Sequence, residues 1–201
     1  MGDNYELFNP RLQDAQISYY PNFIPKKLAT SYFETLLSET RWKNDNIKVF
    51  GKTYPQPRMT SLYGNTSDTY GYSGIVMHPN EMTPILLEIQ EKLMLKTKTS
   101  FTTVLLNLYR DGKDSNGWHA DNEPELGKNP VIASISLGAT RFFQLKHNLN
   151  KSQKIKIELT HGSLLLMEGE TQHFWKHQIA KTSKEVGPRI NLTFREVFKV
   201  H

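Results

Sequence analysis

No cysteine occurs among the 201 residues. Disulfide frameworks, zinc ribbons and thiol nucleophiles are therefore excluded, and any metal must be held by histidine and carboxylate, a ligand set that favours iron or manganese over structural zinc. The chain also lacks an apolar run near the roughly 20 residues a membrane helix needs, and it has no secretory apolar segment. Met1-Gly2 does not open a myristoylation signal, because Glu6 stands where Ser or Thr is required. An intracellular protein without membrane attachment is expected. Internal repeats and low-complexity linkers are missing too, so residues 1–201 read as a single domain, long enough to bury a substantial core. Positive charge is not scarce: 25 Lys and Arg against 20 Asp and Glu leave a net charge of +5. That balance suits a polyanionic partner, and a lysine-rich solvated surface would give the same count.

The pattern along the chain divides into two parts. A loosely held N-terminal dozen residues precedes a short strand at 15–20. Pro25 then opens a helix at 25–39 with Leu28, Tyr32, Leu36 and Leu37 on one stripe. A polar segment rich in Gly, Pro and Tyr covers 44–74, and a second amphipathic helix at 84–96 carries Ile85, Leu86, Ile89 and Leu93. From Phe101 the sequence turns to short strands rich in Val, Ile, Leu, Phe and Thr, expected at 102–110, 131–137, 141–147, 155–159, 163–168, 174–178 and 189–197. Helices followed by a run of strands imply an α+β fold with a two-sheet jelly roll, its core in residues 101–198 and the helices in residues 15–100.

His119-Ala-Asp121 places an imidazole and a carboxylate on the same side of an extended strand. Two histidines and one carboxylate on one face of an iron leave coordination positions open, as in non-haem Fe(II) oxygenases. The third ligand must come from His161, His173 or His177. His161 sits in a His-Gly-Ser turn that suits loop capping, whereas His173 and His177 are expected on one face of a strand and periodicity does not separate them.

In Arg189-Ile-Asn191-Leu-Thr193-Phe-Arg195 every odd position is polar and every even one apolar. Arg189, Asn191, Thr193 and Arg195 therefore line one face, and two guanidiniums on it suit capture of carboxylates. By the same alternation Asn107 and Tyr109 share a face. Together these faces describe a dicarboxylate pocket.

Asn107-Leu-Tyr109, His119-Ala-Asp121, His177-Gln-Ile and the R-x-N-x-T-x-R strand together resemble the AlkB family of Fe(II) and 2-oxoglutarate-dependent dioxygenases, and the last motif is specific to that family. The likeness runs from about residue 15 to residue 197. It implies a double-stranded β-helix with a nucleotide-recognition lid, and His177 as the third ligand with His173 its neighbour. It further implies Fe(II), 2-oxoglutarate and dioxygen as the reacting set. Arg189, helped by Tyr109 and Asn107, would hold the distal carboxylate; Arg195 would serve the end near iron, with Asn191 and Thr193 in the same wall.

Val49-Phe50-Gly51, followed by Pro57-Arg58, resembles the hairpin of the duplex-DNA repair members, in which an aromatic finger enters the base stack. The resemblance makes Phe50 the finger and counts Gly51, Lys52 and Arg58 among the substrate contacts. Tyr70-Gly-Tyr72-Ser-Gly74 resembles the lid segment, with Tyr72 stacking on a flipped base and Tyr70 making a polar contact. Tyr72 stands where many members have Phe and Asn122 where many have Asp, which leaves base preference open; Glu123 is expected to accept from an exocyclic amine. The implied activity is oxidative demethylation of N-alkylated bases such as 1-methyladenine and 3-methylcytosine in DNA, with formaldehyde released and the base first flipped out of the helix. RNA demethylation, or oxygenation of a protein or small molecule, are the alternatives. The partner expected is duplex or single-stranded DNA, with RNA second, acted on by a monomer in a bacterial cytoplasm or a eukaryotic nucleus.

Overall fold

The computed structural model describes residues 12–49, 52–65, 70–72 and 75–198. Strand β1 (Gln16–Tyr20) leads into helix α1 (Lys26–Glu39), followed by β2 (Asn46–Val49), β3 (Lys52–Pro55), β4 (Met59–Gly64), β5 (Tyr70–Tyr72), β6 (Ile75–Met77), β7 (Asn80–Glu81) and helix α2 (Pro84–Thr97). The second half contains β8 (Thr103–Tyr109), β9 (Asn116–His119), a 3-10 turn (Pro124–Leu126), β10 (Ile132–Gly138), β11 (Arg141–His147), β12 (Lys154–Leu159) and β13 (Ser163–Glu168). A short helix α3 (Thr171–Phe174), β14 (Trp175–Ile179) and β15 (Arg189–Arg195) complete it.

Seven strands form the major sheet in the order β1-β13-β10-β15-β8-β4-β7, and four form the minor sheet in the order β12-β11-β14-β9. The two sheets face each other as a double-stranded β-helix of α+β class. Strands β1, β4 and β7 from the first hundred residues belong to the major sheet, so the N-terminal part is built into the jelly roll. Strand β4 lies in the segment whose composition reads as polar loop. It pairs with β8 from Met59↔Leu108 to Gly64↔Thr103 and is buried from Thr60 onward. A strand buried on both faces shows no alternation to detect.

Two apolar layers follow from period-two alternation. Ile190, Leu192 and Phe194 point outward from the major sheet and pack beneath the helices, where Tyr32 and Leu36 of α1 and Leu86, Ile89 and Leu93 of α2 close over them. Thr83 caps α2 by accepting from Leu86 N at 3.4 Å, with Pro84 in the first turn. Between the sheets, Leu62, Leu105, Leu145, Leu165 and Trp175 fill one end of the sandwich. The polar side chains of β8 and β15 occupy the space between the sheets nearer β9 and β14. Gly138 turns β10 toward β11 at φ 87°, and a Cβ there would sit 2.5 Å from both Pro188 O and the Phe33 ring. The close approach requires glycine as much as the backbone angle does.

Candidate metal and cosubstrate site

The minor sheet brings His119 to His177. β14 runs antiparallel to β9 with His177 opposite His119. Possible ligand atoms of His119, Asp121 and His177 all lie within 4.8 Å of one another. His119 Nδ1 lies 2.7 Å from Gly117 O. A carbonyl only accepts, so Nδ1 carries the proton and Nε2 presents its lone pair toward the carboxylate, 3.7 Å from Asp121 Oδ1. Asn116 Nδ2 donates to that lone pair at 3.2 Å.

Each candidate ligand is held by a second group. The His177 ring is buried, stacked on Phe143 with centroids 5.0 Å apart, and edge-on to His119 at 4.2 Å. Burial, followed by the charge of His119, pushes its pKa down to about 3, so the imidazole is neutral at physiological pH. Burial likewise lowers His119. Asp121 donates its backbone N–H to Gln172 Oε1 at 2.9 Å, and its Oδ2 accepts from Arg195 Nη2 at 2.9 Å. Burial alone would raise this carboxyl, but Arg195 and then the two histidines hold it well below the usual carboxylate range. Two neutral imidazoles and an ionised carboxylate are the donor set a divalent iron requires, and Asp121 Oδ1 is buried without a hydrogen bond.

Above these residues lies the polar face of β15. Register places Arg189 opposite Tyr109 and Asn191 opposite Asn107 on β8, and Asn191 opposite Ser136 and Thr193 opposite Ser134 on β10. Asn191 Nδ2 donates to Ser134 Oγ at 2.7 Å and to Ile135 O at 3.1 Å, while its Oδ1 accepts from Thr193 Oγ1 at 3.1 Å. These two side chains spend their hydrogen bonds within the wall. Arg189 differs. It is 1% exposed and donates from Nη2 to Ser136 Oγ at 2.8 Å, yet its Nε and Nη1 are buried without partners. Burial draws its pKa down to about 10, against the opposing influence of Tyr109, whose ring centroid is 5.3 Å from the guanidinium carbon. Unmade donors on a buried cation are costly and fit a ligand carboxylate. Asn107, Tyr109, Arg189 and Arg195 line one cavity together with His119, Asp121 and His177.

The remaining expected residues are dispersed. Arg58 is 3% exposed and donates from Nε to Asn107 Oδ1 at 2.7 Å, so it faces the cavity wall rather than open solvent. Glu123 is half-buried; burial and then the Asp121 charge raise its carboxyl, and its Oε2 has no partner. Asn122 is exposed. Lys52 opens β3 opposite Val49, and the two residues joining these strands, Phe50 and Gly51, lie outside the described residues. Tyr70 and Tyr72 bound β5, paired with Met77 and Ile75 of β6. His173 is not on the strand with His177. It belongs to α3, is exposed, and contacts Lys128 O and Asn129 Oδ1, because Glu170 and Thr171 start a helical turn that ends only at Trp175. His161 caps a turn, accepting from Gly138 N at 2.9 Å.

Gln172, Phe143, Asn116, Ser134 and Ser136 were not expected at the site. For the serines a signal exists: Ile132-Ala-Ser134-Ile-Ser136-Leu alternates as β15 does. Gln172 and Phe143 carry none, since a buried amide and a core aromatic look alike wherever they fall.

A family model described as the 2OG-Fe(II) oxygenase superfamily matches residues 16–195. The alpha-ketoglutarate-dependent dioxygenase alkB homolog 3 of Bos taurus is 40% identical over 203 aligned positions, covering 96% of this chain and 70% of that protein. The DNA oxidative demethylase ALKBH2 of Bos taurus is 35% identical over 188 positions, with 89% and 68% covered. ALKBH2 of Arabidopsis thaliana is 33% identical over 209, with 91% and 67% covered. Among solved structures OsALKBH1 superposes with a TM-score of 0.64 at 17% identity, over 89% of this chain and 97% of that one, which supports the fold. With the His-Asp-His cluster and the buried arginines already in place, these matches identify the chain as an Fe(II)- and 2-oxoglutarate-dependent dioxygenase that belongs to the AlkB family within the 2OG-Fe(II) oxygenase superfamily.

Proposed function

We propose that the protein removes N-linked methyl groups from the Watson-Crick edge of nucleic-acid bases, with lesions such as 1-methyladenine and 3-methylcytosine in DNA as its substrates. The observation that carries this reading is the juxtaposition of the His119, Asp121 and His177 cluster with a buried arginine whose donors await an anion. His119 Nε2, a carboxylate oxygen of Asp121 and His177 would hold Fe(II), which with 2-oxoglutarate and dioxygen supplies oxidation of an unactivated C–H bond. Arg189, with Tyr109 over its guanidinium, takes the distal carboxylate of the cosubstrate. Arg195 anchors the iron end by fixing Asp121. Asn191 and Thr193 stiffen the wall, and Phe143 and Gln172 orient the ligands.

The methylated base must leave the stack to reach this cavity. Tyr72 is assigned to stack on it, Tyr70 to a polar contact, and Glu123 and Asn122 to its exocyclic edge. Phe50, with Gly51 and Lys52, would fill and flank the gap in a duplex, whereas Arg58, buried against Asn107, would meet the substrate only from the cavity wall. The relatives named for DNA demethylation favour DNA over a protein or metabolite substrate, with RNA the second reading. A monomer acting where chromosomal DNA is kept fits this role.

The test is anaerobic reconstitution with Fe(II), 2-oxoglutarate and ascorbate, followed by exposure to air with matched methylated oligonucleotides as single-stranded DNA, duplex DNA and RNA. Formaldehyde release and restored base on DNA are expected; no demethylation on any of the three would refute the reading. Phe50→Ala should reduce duplex repair at least tenfold more than single-strand repair, and equal losses would make Phe50 a structural residue.

A further inference from the structure

The outward face of the minor sheet, on the side away from the metal site, carries an arrangement that folding alone does not favour. Register places Lys146 of β11 directly opposite Lys154 of β12 on one side and Lys176 of β14 on the other, a row of three like charges across three neighbouring strands. Like charges directly opposite one another destabilise a sheet. In the next row Lys156 stands opposite Gln144. Among the described residues none of these four lysines lies within salt-bridge distance of a carboxylate, and Glu158 is the sole acidic side chain on the outward positions of these strands.

Two large aromatics share the face. Trp118 is 38% and Phe142 40% exposed, although each neighbours a residue turned inward, His119 and Phe143. Lys146 Nζ lies 4.2 Å from the Trp118 ring centroid, and Lys156 Nζ lies 3.7 Å from that of Phe142. Trp118, Lys146, Lys154 and Lys156 line a groove between them. Cations set beside exposed aromatic rings, with Glu158 opposite Phe142 as the one carboxylate on the face and none in ion-pair distance, match the two things a nucleic-acid strand offers: phosphates and π-faces. An acidic peptide would use the lysines and leave the rings idle, and a duplex would keep its bases stacked away from them.

We propose that this face is a second nucleic-acid site, which binds a single-stranded segment outside the flipped base through the lysine row and stacks a base against Trp118 or Phe142. The proposal deepens the nucleic-acid reading given above and rests on it for the class of polyanion. Because Trp118 adjoins His119 but points to the other side of β9, a strand leaving the active-site mouth around this sheet edge would reach the groove. Affinity for long substrates would then exceed that for short ones.

The experiment measures binding of an unmethylated oligo(dT) of about 30 nucleotides to the whole protein as salt is varied, so turnover plays no part. Each lysine that neutralises a phosphate adds about 0.7 to the slope of log K against log salt for single strands. The Lys146→Gln/Lys154→Gln/Lys156→Gln protein should lose about 2 from that slope, and the Lys154→Gln/Lys156→Gln protein, altered only at exposed positions, about 1.4. Oligo(dT) should quench the indole fluorescence of the wild type, and Trp118→Phe should remove most of that quenching. Turnover of a methylated trinucleotide should be unchanged in the lysine variants while KM for a long methylated strand rises about tenfold. Unchanged slopes, or poly-glutamate displacing oligo(dT) at equal charge concentration, would overturn the second site. A protein that shows the slopes but demethylates nothing would overturn the demethylase reading instead.

Discussion

Arg189 makes opposite predictions for stability and for function. Its guanidinium is 1% exposed, donates to Ser136 Oγ, lies beside Tyr109, and keeps Nε and Nη1 buried without a well-formed hydrogen bond. Burial draws its pKa down to about 10, well below the ordinary guanidinium range. A cation whose folded pKa is depressed destabilises the native state at every pH below that value, here by roughly 3 kcal/mol at about 1.4 kcal/mol per pH unit. Arg189→Met removes this cost and forfeits about 1 kcal/mol with the Ser136 bond. The cosubstrate-free protein should therefore gain on the order of 1–2 kcal/mol, a rise in Tm of roughly 2–8 °C for a chain of this size. Wild type with Mn(II) in place of iron should gain about 2.7 kcal/mol more when 2-oxoglutarate is present at about 100 times its Kd, and the variant nothing. Thermal denaturation with and without 2-oxoglutarate reads both effects. A variant that melts lower than wild type and is still stabilised by 2-oxoglutarate would refute the assignment of Arg189 to the cosubstrate.

Two further predictions concern the ligands. Asp121→Ala leaves the Arg195 guanidinium, 3% exposed, facing a void where its carboxylate stood, and should cost about 3–5 kcal/mol. Adding Arg195→Met should recover most of that in chemical denaturation, and additive losses would mean that the pair is not coupled. His177, held at about 3 by burial, is neutral in the fold but titrates near 6.5 when unfolded. Its contribution is complete above that pH and is lost as pH falls toward 3. Chelated protein should thus be about 1.4 kcal/mol less stable at pH 5.5 than at 7.5, and His177→Gln should flatten the difference. An unchanged dependence in the variant would show that another group governs it.

How much of this site the sequence disclosed depends on whether a residue advertises itself through period-two alternation. β15 does: its apolar positions enter the core under the helices, its polar positions line the cavity, and both follow from spacing alone. The candidate third ligand does not, since separating His177 from His173 needs the helical turn at Thr171–Phe174, and neither histidine announces that turn. Strand β4 is hidden for the opposite reason, being buried on both faces within a segment of loop-like composition.

Pairing across the chain is harder still. Alternation gives Arg189 and Arg195 identical standing, seven-residue strand mates on one face, yet the fold gives them different tasks. Arg195 reaches Asp121, 74 residues earlier in sequence, and is committed to a carboxylate of the protein itself. Arg189 meets a hydroxyl and a ring, and keeps two donors unspent. The difference comes from what stands opposite each: Thr103 and the loop carrying Asp121 at one end of β15, Tyr109 and Gly138 at the other. A carboxylate entering the cavity therefore finds unmet donors at the Arg189 end. Arg189 should on this ground govern capture of the distal carboxylate of the cosubstrate, and Arg195 should matter chiefly through the carboxylate it holds.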